Sequence, residues 1–238
     1  MRVLGLLITP NDIVLSLLVR GQRRDICFPD WPHTYIASRF FWGFRRTEDK
    51  FRIVDIGASC GGFTLPATTM WPNTSIIAIE PSSWSWPYFE ANTEGLGIEL
   101  IKEAASDKTE EVVLYLPPGE EKRIGLESVY GGGEEAQKVP ARRLDDMISG
   151  SVDLIKIDVE GHELSVIEGG RGLISEYHPE LIVELKDKRQ RPAGHSSEDV
   201  IMELVRMGYQ LPVPLSGYDF VFFTKERTQS RSYHLFQG

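Results

Sequence analysis

The stretch Ile53-Val54-Asp55-Ile56-Gly57-Ala58-Ser59-Cys60-Gly61-Gly62 constrains this chain more than any other. An apolar run carries an acid near its end, a glycine follows two positions later, and a turn of small residues closes on a glycine pair before Phe63-Thr64-Leu65-Pro66-Ala67-Thr68. The pattern predicts a buried strand, a tight turn and a helix start, the first half of a βαβ unit. Glycine is needed in such a turn because the backbone must bend sharply and lie against a ligand with no Cβ in the way.

Glycine turns of this kind also serve nicotinamide enzymes, and the acid separates the two cases. A dinucleotide fingerprint, Gly-x-Gly-x-x-Gly, lays a pyrophosphate on amide N–H groups at a helix N-terminus, where a neighbouring carboxylate would repel it. Here the spacing is Asp-x-Gly-x-x-x-Gly-Gly, with Asp55 at the strand end. That suits a ligand with positive charge and no phosphate, and S-adenosyl-L-methionine (SAM), with its sulfonium and ammonium groups, is such a ligand.

At 238 residues the chain is long enough for one α/β domain with a modest extension. We divide it into an N-terminal extension, 1–50, of a hairpin and a helix; a catalytic domain, 51–226; and a tail, 227–238, whose Leu235-Phe236-Gln237-Gly238 reads as the remnant of an engineered protease site. A net charge of −9 argues against a protein whose main partner is a nucleic-acid backbone. Cys27 and Cys60 form no disulfide framework, and free thiols suit a reducing compartment. The early apolar runs, Val3 to Ile8 and Ile13 to Val19, are too short to span a bilayer, and no cleavage pattern follows them. A cytoplasmic protein without a membrane span is expected.

Within the extension, Asp12 to Val19 and Asp25 to Phe28 flank a turn at 20–24, and Tyr35 to Phe41 reads as one side of a helix. After the central turn, Ser75-Ile76-Ile77-Ala78-Ile79-Glu80-Pro81 reads as a buried parallel strand tipped by an acid. Glu80 falls 25 positions after Asp55, where an acid accepts both hydroxyls of a ribose. Pro87 to Asn92 is a predicted helix, and Glu99 to Ala105 a third strand running into Ser106-Asp107. Asp107 is then either an acceptor for an adenine amino group or an Asx turn or cap, and Trp84 and Trp86 either cover an adenine or join the core. Glu111 to Leu116 reads as a strand, residues 117–137 as a glycine-rich mobile cover, and Arg142 to Ile148 as a short helix.

The second informative stretch is Val152 to Glu163, an apolar strand whose charges gather at its carboxyl end, the edge where open α/β sheets bind ligands. Lys156, Asp158 and Glu160 alternate, and an extended backbone would point them the same way. Clustered buried carboxylates are costly and serve as bases, acceptors or metal ligands. Lys156 could instead neutralise Asp158 structurally, Glu160 or Glu163 could answer a helix dipole, and His162 is either a polar cap contact or a proton shuttle. Glu163 to Ile174 is a predicted helix, Glu180 to Leu185 the fifth strand, tipped at Glu184, and Lys186 to Arg191 a basic loop. Ser197 to Met207 is a helix ending at Gly208, with Tyr209 to Pro212 and Phe220 to Thr224 as a closing strand pair.

Asp55-Ile56-Gly57-Ala58, Glu80-Pro81, Asn92, Ala104-Ala105-Ser106-Asp107, Leu144-Asp145 and Ile155-Lys156-Ile157-Asp158-Val159-Glu160-Gly161 with Glu163 in step resemble the FkbM-type SAM-dependent methyltransferases across roughly residues 51–187. The resemblance implies an α/β, Rossmann-like class I methyltransferase fold, with a mostly parallel seven-stranded sheet whose last strand is antiparallel. It also implies O-methylation of a sugar, glycan or secondary-metabolite hydroxyl. The cofactor set expected is Asp55, Gly57, Ala58, Ser59, Gly61, Glu80, Pro81, Ser106, Asp107 and Asp158. The catalytic candidates are Asp158, Glu160, Lys156 and His162, with Mg²⁺ on Asp158, Glu160 and Glu184 as a variant. The tryptophans after Glu80 and the glycine-rich loop depart from the family pattern where acceptor choice is made. The rival readings are an RNA 2′-O-methyltransferase using Lys156, Asp158, Glu184 and Lys186, a non-catalytic SAM-binding protein, and a nicotinamide oxidoreductase, which Asp55 disfavours.

Overall fold

In the computed structural model the structure describes residues 2–8, 13–19, 22–28, 51–71, 73–116, 127–130, 135–216 and 218–224. The strands are β1 (Arg2–Ile8), β2 (Ile13–Val19), β3 (Gln22–Phe28), β4 (Phe51–Ile56), β5 (Thr74–Ile79), β6 (Glu99–Ile101), β7 (Ala104–Ser106), β8 (Glu110–Tyr115), β9 (Glu135–Arg143), β10 (Leu154–Ile157), β11 (Glu180–Glu184), β12 (Val213–Ser216) and β13 (Asp219–Phe222). The helices are α1 (Thr64–Met70), α2 (Trp86–Thr93), α3 (Leu144–Met147), α4 (Glu163–Gly169), α5 (Arg171–Tyr177), α6 (Asp187–Gln190) and α7 (Ser197–Arg206).

Seven strands make the main sheet in the order β12-β13-β11-β10-β4-β5-β6. The run from β11 through β10 and β4 to β5 and β6 is parallel, and β13 enters antiparallel to β11. This is the Rossmann-like, mostly parallel seven-stranded sheet with an antiparallel last strand that the resemblance implies. Its central strands read as unbroken apolar runs because both faces are covered. One face buries Val54, Ile56, Ile155, Ile157, Leu181 and Phe222 among the residues of α4, α5 and α7, and the other buries Phe51, Ile53, Leu154, Ile182 and Val221 with Phe63 and Trp71. Capping is strongest at α7, where the Ser196 side chain accepts from the Asp199 amide and the Asp199 carboxylate accepts from the Ser196 amide. Among the described residues no helix is long and apolar enough to cross a membrane.

Several expectations are corrected. The N-terminal extension holds three antiparallel strands, β1-β2-β3, rather than a hairpin of two, and the helix expected near Tyr35 to Phe41 lies outside the described residues. The third strand is broken at Lys102 and Glu103, so that β6 stays in the main sheet while β7 leaves it for a second sheet, β7-β9-β8. β9 itself occupies part of the expected cover loop; Pro140 within it disguises a strand, because proline removes a ladder donor. The helix after Glu163 divides into α4 and α5 at Gly170, and the closing pair is β12 with β13, with Tyr209 and Thr224 joined only by an isolated bridge. The basic run begins with the short helix α6 instead of a loop.

β7 and α4 meet closely enough that a Cβ on Gly169 would run into the Ser106 carbonyl. We predict that Gly169→Ala lowers stability by about 1–3 kcal/mol, the usual cost of overpacking. It should be read as a fall in the urea midpoint at unchanged m-value.

Candidate cofactor and active site

The carboxyl ends of β4, β5 and β10 bend around a cavity of about 330 Å³, within the range of ligand sites. Gly57, Ala58, Ser59, Glu80, Pro81, Lys156, Asp158, Glu160 and His162 of the predicted set line it. Asp55, Gly61, Ser106 and Asp107 do not.

The turn after β4 is shaped by the chain around it. The amides of Gly57 and Ala58 both donate to the Ile79 carbonyl, at 2.9 and 3.1 Å, tying the turn to the end of β5. Gly57 has φ +76°, and a Cβ there would strike the Asp158 carbonyl, so only glycine lets the turns after β4 and β10 approach. Gly61 completes the turn from behind, its amide donating to Ala58 and its carbonyl accepting from Leu65.

Glu80 stands at the end of β5 with its side chain turned back along the rim. One oxygen accepts from the Ser59 amide and the other from the Ser82 amide, both at 2.8 Å. Each carboxylate oxygen has two lone pairs, so both retain one for a further donor. Burial pushes the Glu80 carboxyl up to about 7 against the pull of those amides. The second sheet closes this end of the cavity with Leu114, while the segment 127–130 supplies Glu127 and Val129. Ser82 and Ser83 hydrogen-bond to Glu127 and Gln137, which join the two layers.

Lys156 and Asp55 are register partners on adjacent parallel strands. The Lys156 ammonium, almost wholly buried, donates to the Gly57 carbonyl at 3.0 Å and pairs with Asp158 at 3.3 Å and Asp55 at 3.5 Å. Burial acts to lower its pKa, but Asp158, Asp55 and Glu184 outweigh that and hold it above the ordinary lysine value. Asp55 also accepts from the Thr64 hydroxyl at 2.5 Å. Asp55 does not line the cavity, and its cationic partner is this lysine, which does.

Beyond Ile157 the chain leaves the strand, and Glu160 adopts φ +52°. Asp158, Glu160 and Glu184 thus meet through a turn instead of through strand alternation, offering carboxylate oxygens within 4.8 Å of one another. Ser59, at φ +46°, is another cavity-lining residue in the left-handed region, and such backbone strain gathers at functional sites. The three carboxyls are driven apart in acidity. Burial opposes ionisation of Asp158, yet Lys156 and Lys186 hold its carboxyl below the ordinary value. Burial pushes Glu160 up to about 7, and burial with the Asp158 charge pushes Glu184 up to about 9. Lys186 pairs with Glu184 at 2.7 Å and Arg189 with Glu160 at 2.8 Å. The basic run that the sequence presents as solvated is therefore part of the cluster. Lys156, Lys186 and Arg189 already pair with Asp158, Glu184 and Glu160, so a Mg²⁺ ion held by these three carboxylates would have to compete with those partners.

His162 is buried at the start of α4, its Nε2 2.9 Å from the Ser106 hydroxyl and its ring 5.2 Å from that of Tyr130. Burial pushes it down to about 4, so the ring is neutral and poorly suited to shuttle protons near neutrality. Ser106 donates to Asp107, which follows β7 and also meets Lys108 at 3.5 Å. Trp86 does not line the cavity; its indole donates to the Glu80 carbonyl and Lys102 lies over its ring. Residues that sequence reasoning missed are Glu127 and Tyr218, the latter 58% exposed at the cavity rim. Neither belongs to a strand-end motif, and no local signal marks them.

The sequence profile of the methyltransferase FkbM domain matches residues 55–211. Methyltransferase 1 of Beauveria bassiana is 29% identical, the match covering 60% of this chain and 67% of that one. Among solved structures, methyltransferase FkbM of Methylobacillus flagellatus superposes with a TM-score of 0.54 at 22% identity over 79% of this chain; this chain spans 47% of that one. Fibrillarin of Aeropyrum pernix, solved with natively bound SAM, gives a TM-score of 0.50 at 15% identity, covering 93% of this chain and 98% of its own. At such identities the structures speak for the class I methyltransferase fold alone, whereas the domain profile covers more than half of the sequence. The chain belongs to the FkbM methyltransferase family.

Proposed function

We propose that the protein is a SAM-dependent O-methyltransferase acting on a hydroxyl of a sugar, glycan or secondary metabolite, with Glu160 as its general base. The observation that carries this reading is one continuous cavity that joins an acid-rimmed glycine turn at Gly57, Ser59 and Glu80 to a carboxyl cluster at Asp158, Glu160 and Glu184. The residues fit the cofactor: Gly57 gives bare backbone at the turn, and Glu80 keeps acceptor capacity for two hydroxyl donors. A phosphate beside this turn would face the Glu80 carboxylate.

When bound, SAM supplies an electrophilic methyl carbon; the protein's own task is alignment and proton removal. A hydroxyl is a weak nucleophile at neutral pH, and a base whose pKa lies near the working pH removes its proton most effectively. Among the carboxyls of the cluster Glu160 meets that condition: Asp158 is too acidic and Glu184 holds its proton. Lys186 and Arg189 steady the Glu160 carboxylate, and Ser128 donates to its carbonyl at 2.7 Å, fixing the strained backbone that presents it. Asp158, held ionised by Lys156, suits the cofactor's cationic groups. The net charge of −9 supports a small or neutral acceptor over RNA.

Two outcomes test this. In calorimetry, SAM and its demethylated product should bind while NAD does not, with affinity rising as pH rises through about 7, because hydroxyl donors favour ionised Glu80. Strong NAD binding without SAM binding would overturn the reading. In a panel of hydroxylated acceptors followed by mass spectrometry with labelled methyl donor, kcat at saturating cofactor should fall below pH about 7. Glu160→Gln should lower kcat by about 10²- to 10⁴-fold and remove that acid limb. An unaltered pH profile in this variant rules Glu160 out, and loss of activity on EDTA treatment restored by Mg²⁺ would favour the metal variant.

A further inference from the structure

Because β13 runs antiparallel to β11, its amino end arrives at the carboxyl edge of the sheet, where the cavity lies. Glu184, the last residue of β11, pairs in register with Asp219, the first of β13, and the Leu185 amide donates to the Tyr218 carbonyl at 2.8 Å. Tyr218 is therefore fastened to this edge through its backbone. Its side chain lines the cavity and is 58% exposed, whereas Lys156, Glu160 and His162 of the same lining are buried. A tyrosine ring joins a large apolar surface to a polar tip, and aromatic rings of this kind are common anchors in ligand sites.

Sheet order fixes which end of the cavity Tyr218 serves. Three strands, β11, β10 and β4, stand between β13 and β5. At the usual strand spacing that sets β13 roughly 19 Å from β5, well away from Glu80 and the nucleoside end of the cofactor reading. The neighbour of the ring is Lys186, whose ammonium lies 5.7 Å from the ring centroid, 2.7 Å from Glu184 and 3.9 Å from Glu160. One side chain thus links the aromatic ring to the carboxyl assigned as the base.

An aromatic face beside charged hydrogen-bonding groups discriminates between acceptors. A flat aromatic acceptor stacked on Tyr218 would bring apolar surface against Lys186, Glu184 and Glu160 and offer them little to bond. A pyranose carries both kinds of surface on one ring. Its C–H groups lie against an aromatic face, and the hydroxyls around its edge donate to carboxylates and accept from an ammonium. Resting on the methyltransferase reading above, we propose that Tyr218 is the stacking platform for a pyranose acceptor, holding it with one edge hydroxyl turned to Glu160. Tyr218 acts by binding alone, through its ring and not its phenol hydroxyl; no proton or methyl group passes through it.

The test uses the whole chain loaded with S-adenosylhomocysteine, and saturation-transfer NMR from its aromatic protons to methyl β-glucopyranoside, methyl α-mannopyranoside and methyl α-rhamnopyranoside, with catechol as the aromatic comparator. At least one pyranoside should receive saturation chiefly at the C–H protons of one ring face. Tyr218→Ala should erase that pattern and weaken the pyranoside about 3- to 10-fold, the worth of one aromatic contact. Tyr218→Phe should keep both, and S-adenosylhomocysteine should bind all three proteins alike. The wild-type map and Tyr218→Phe decide the matter should melting curves show that Tyr218→Ala fails to fold. Absence of transfer to any pyranoside, preference for catechol, equal losses in the two variants, or weakened S-adenosylhomocysteine in Tyr218→Ala would each overturn the assignment while leaving the cofactor reading intact. A wild-type chain that binds no S-adenosylhomocysteine would refute the cofactor reading itself, and this proposal with it.

Discussion

The buried ammonium of Lys156 is the interaction on which the rest of the site depends. It reaches the carbonyl of the glycine turn after β4, the Asp55 carboxylate on β4 and the Asp158 carboxylate beyond β10. Through Asp55 it also reaches Thr64 at the start of α1. A charge in a dry sheet edge is expensive, and it persists only where well-placed partners compensate. Here the compensation is mutual. Without the lysine, Asp55 and Asp158 would repel each other across the strand pair; without the acids, the lysine would discharge.

That one cation also sets the chemistry around it. By holding Asp158 ionised, it adds a negative charge to the burial that already pushes Glu184 up, and leaves Glu160 between the two. Three carboxyls of similar intrinsic strength are thus spread apart in acidity by their surroundings alone. The separation costs stability. Carboxyls whose folded values are raised oppose folding increasingly as pH rises from their ordinary value to the folded one, so Glu80, Glu160 and Glu184 weaken the fold near neutrality. Such a loss is typical of sites built for reaction instead of stability.

Much of this was legible in the residues. Unbroken apolar runs ending in acids at Asp55, Glu80 and Glu184 disclose buried parallel strands, and their turn residues disclose the sheet edge where the cavity lies. These signals are local and physical: period, terminus and glycine. What escaped the sequence depends on the third dimension. The break at Lys102 and Glu103 sends β7 to a second sheet because a later strand, β9, is available to receive it, and Pro140 hides that strand. Lys186 and Arg189 look like solvated charges until α6 turns them onto Glu184 and Glu160. Glu127 sits in a stretch without periodicity, beside Ser128, which is anchored to Tyr115 and to the Glu160 carbonyl. The spacing around Asp55 points to a cationic ligand; the cation it meets in the structure is carried on the neighbouring strand.

The most direct test of this account is the protonation of Lys156, followed by NMR of ¹⁵Nζ-labelled lysines with Lys156 identified from the signal lost in Lys156→Arg. Burial and the surrounding acids push its acidity in opposite directions, and the account requires the acids to win. A slowly exchanging ammonium that survives beyond the pH at which ordinary lysines discharge is the predicted result. A Lys156 amine that turns neutral earlier than the exposed lysines would contradict it.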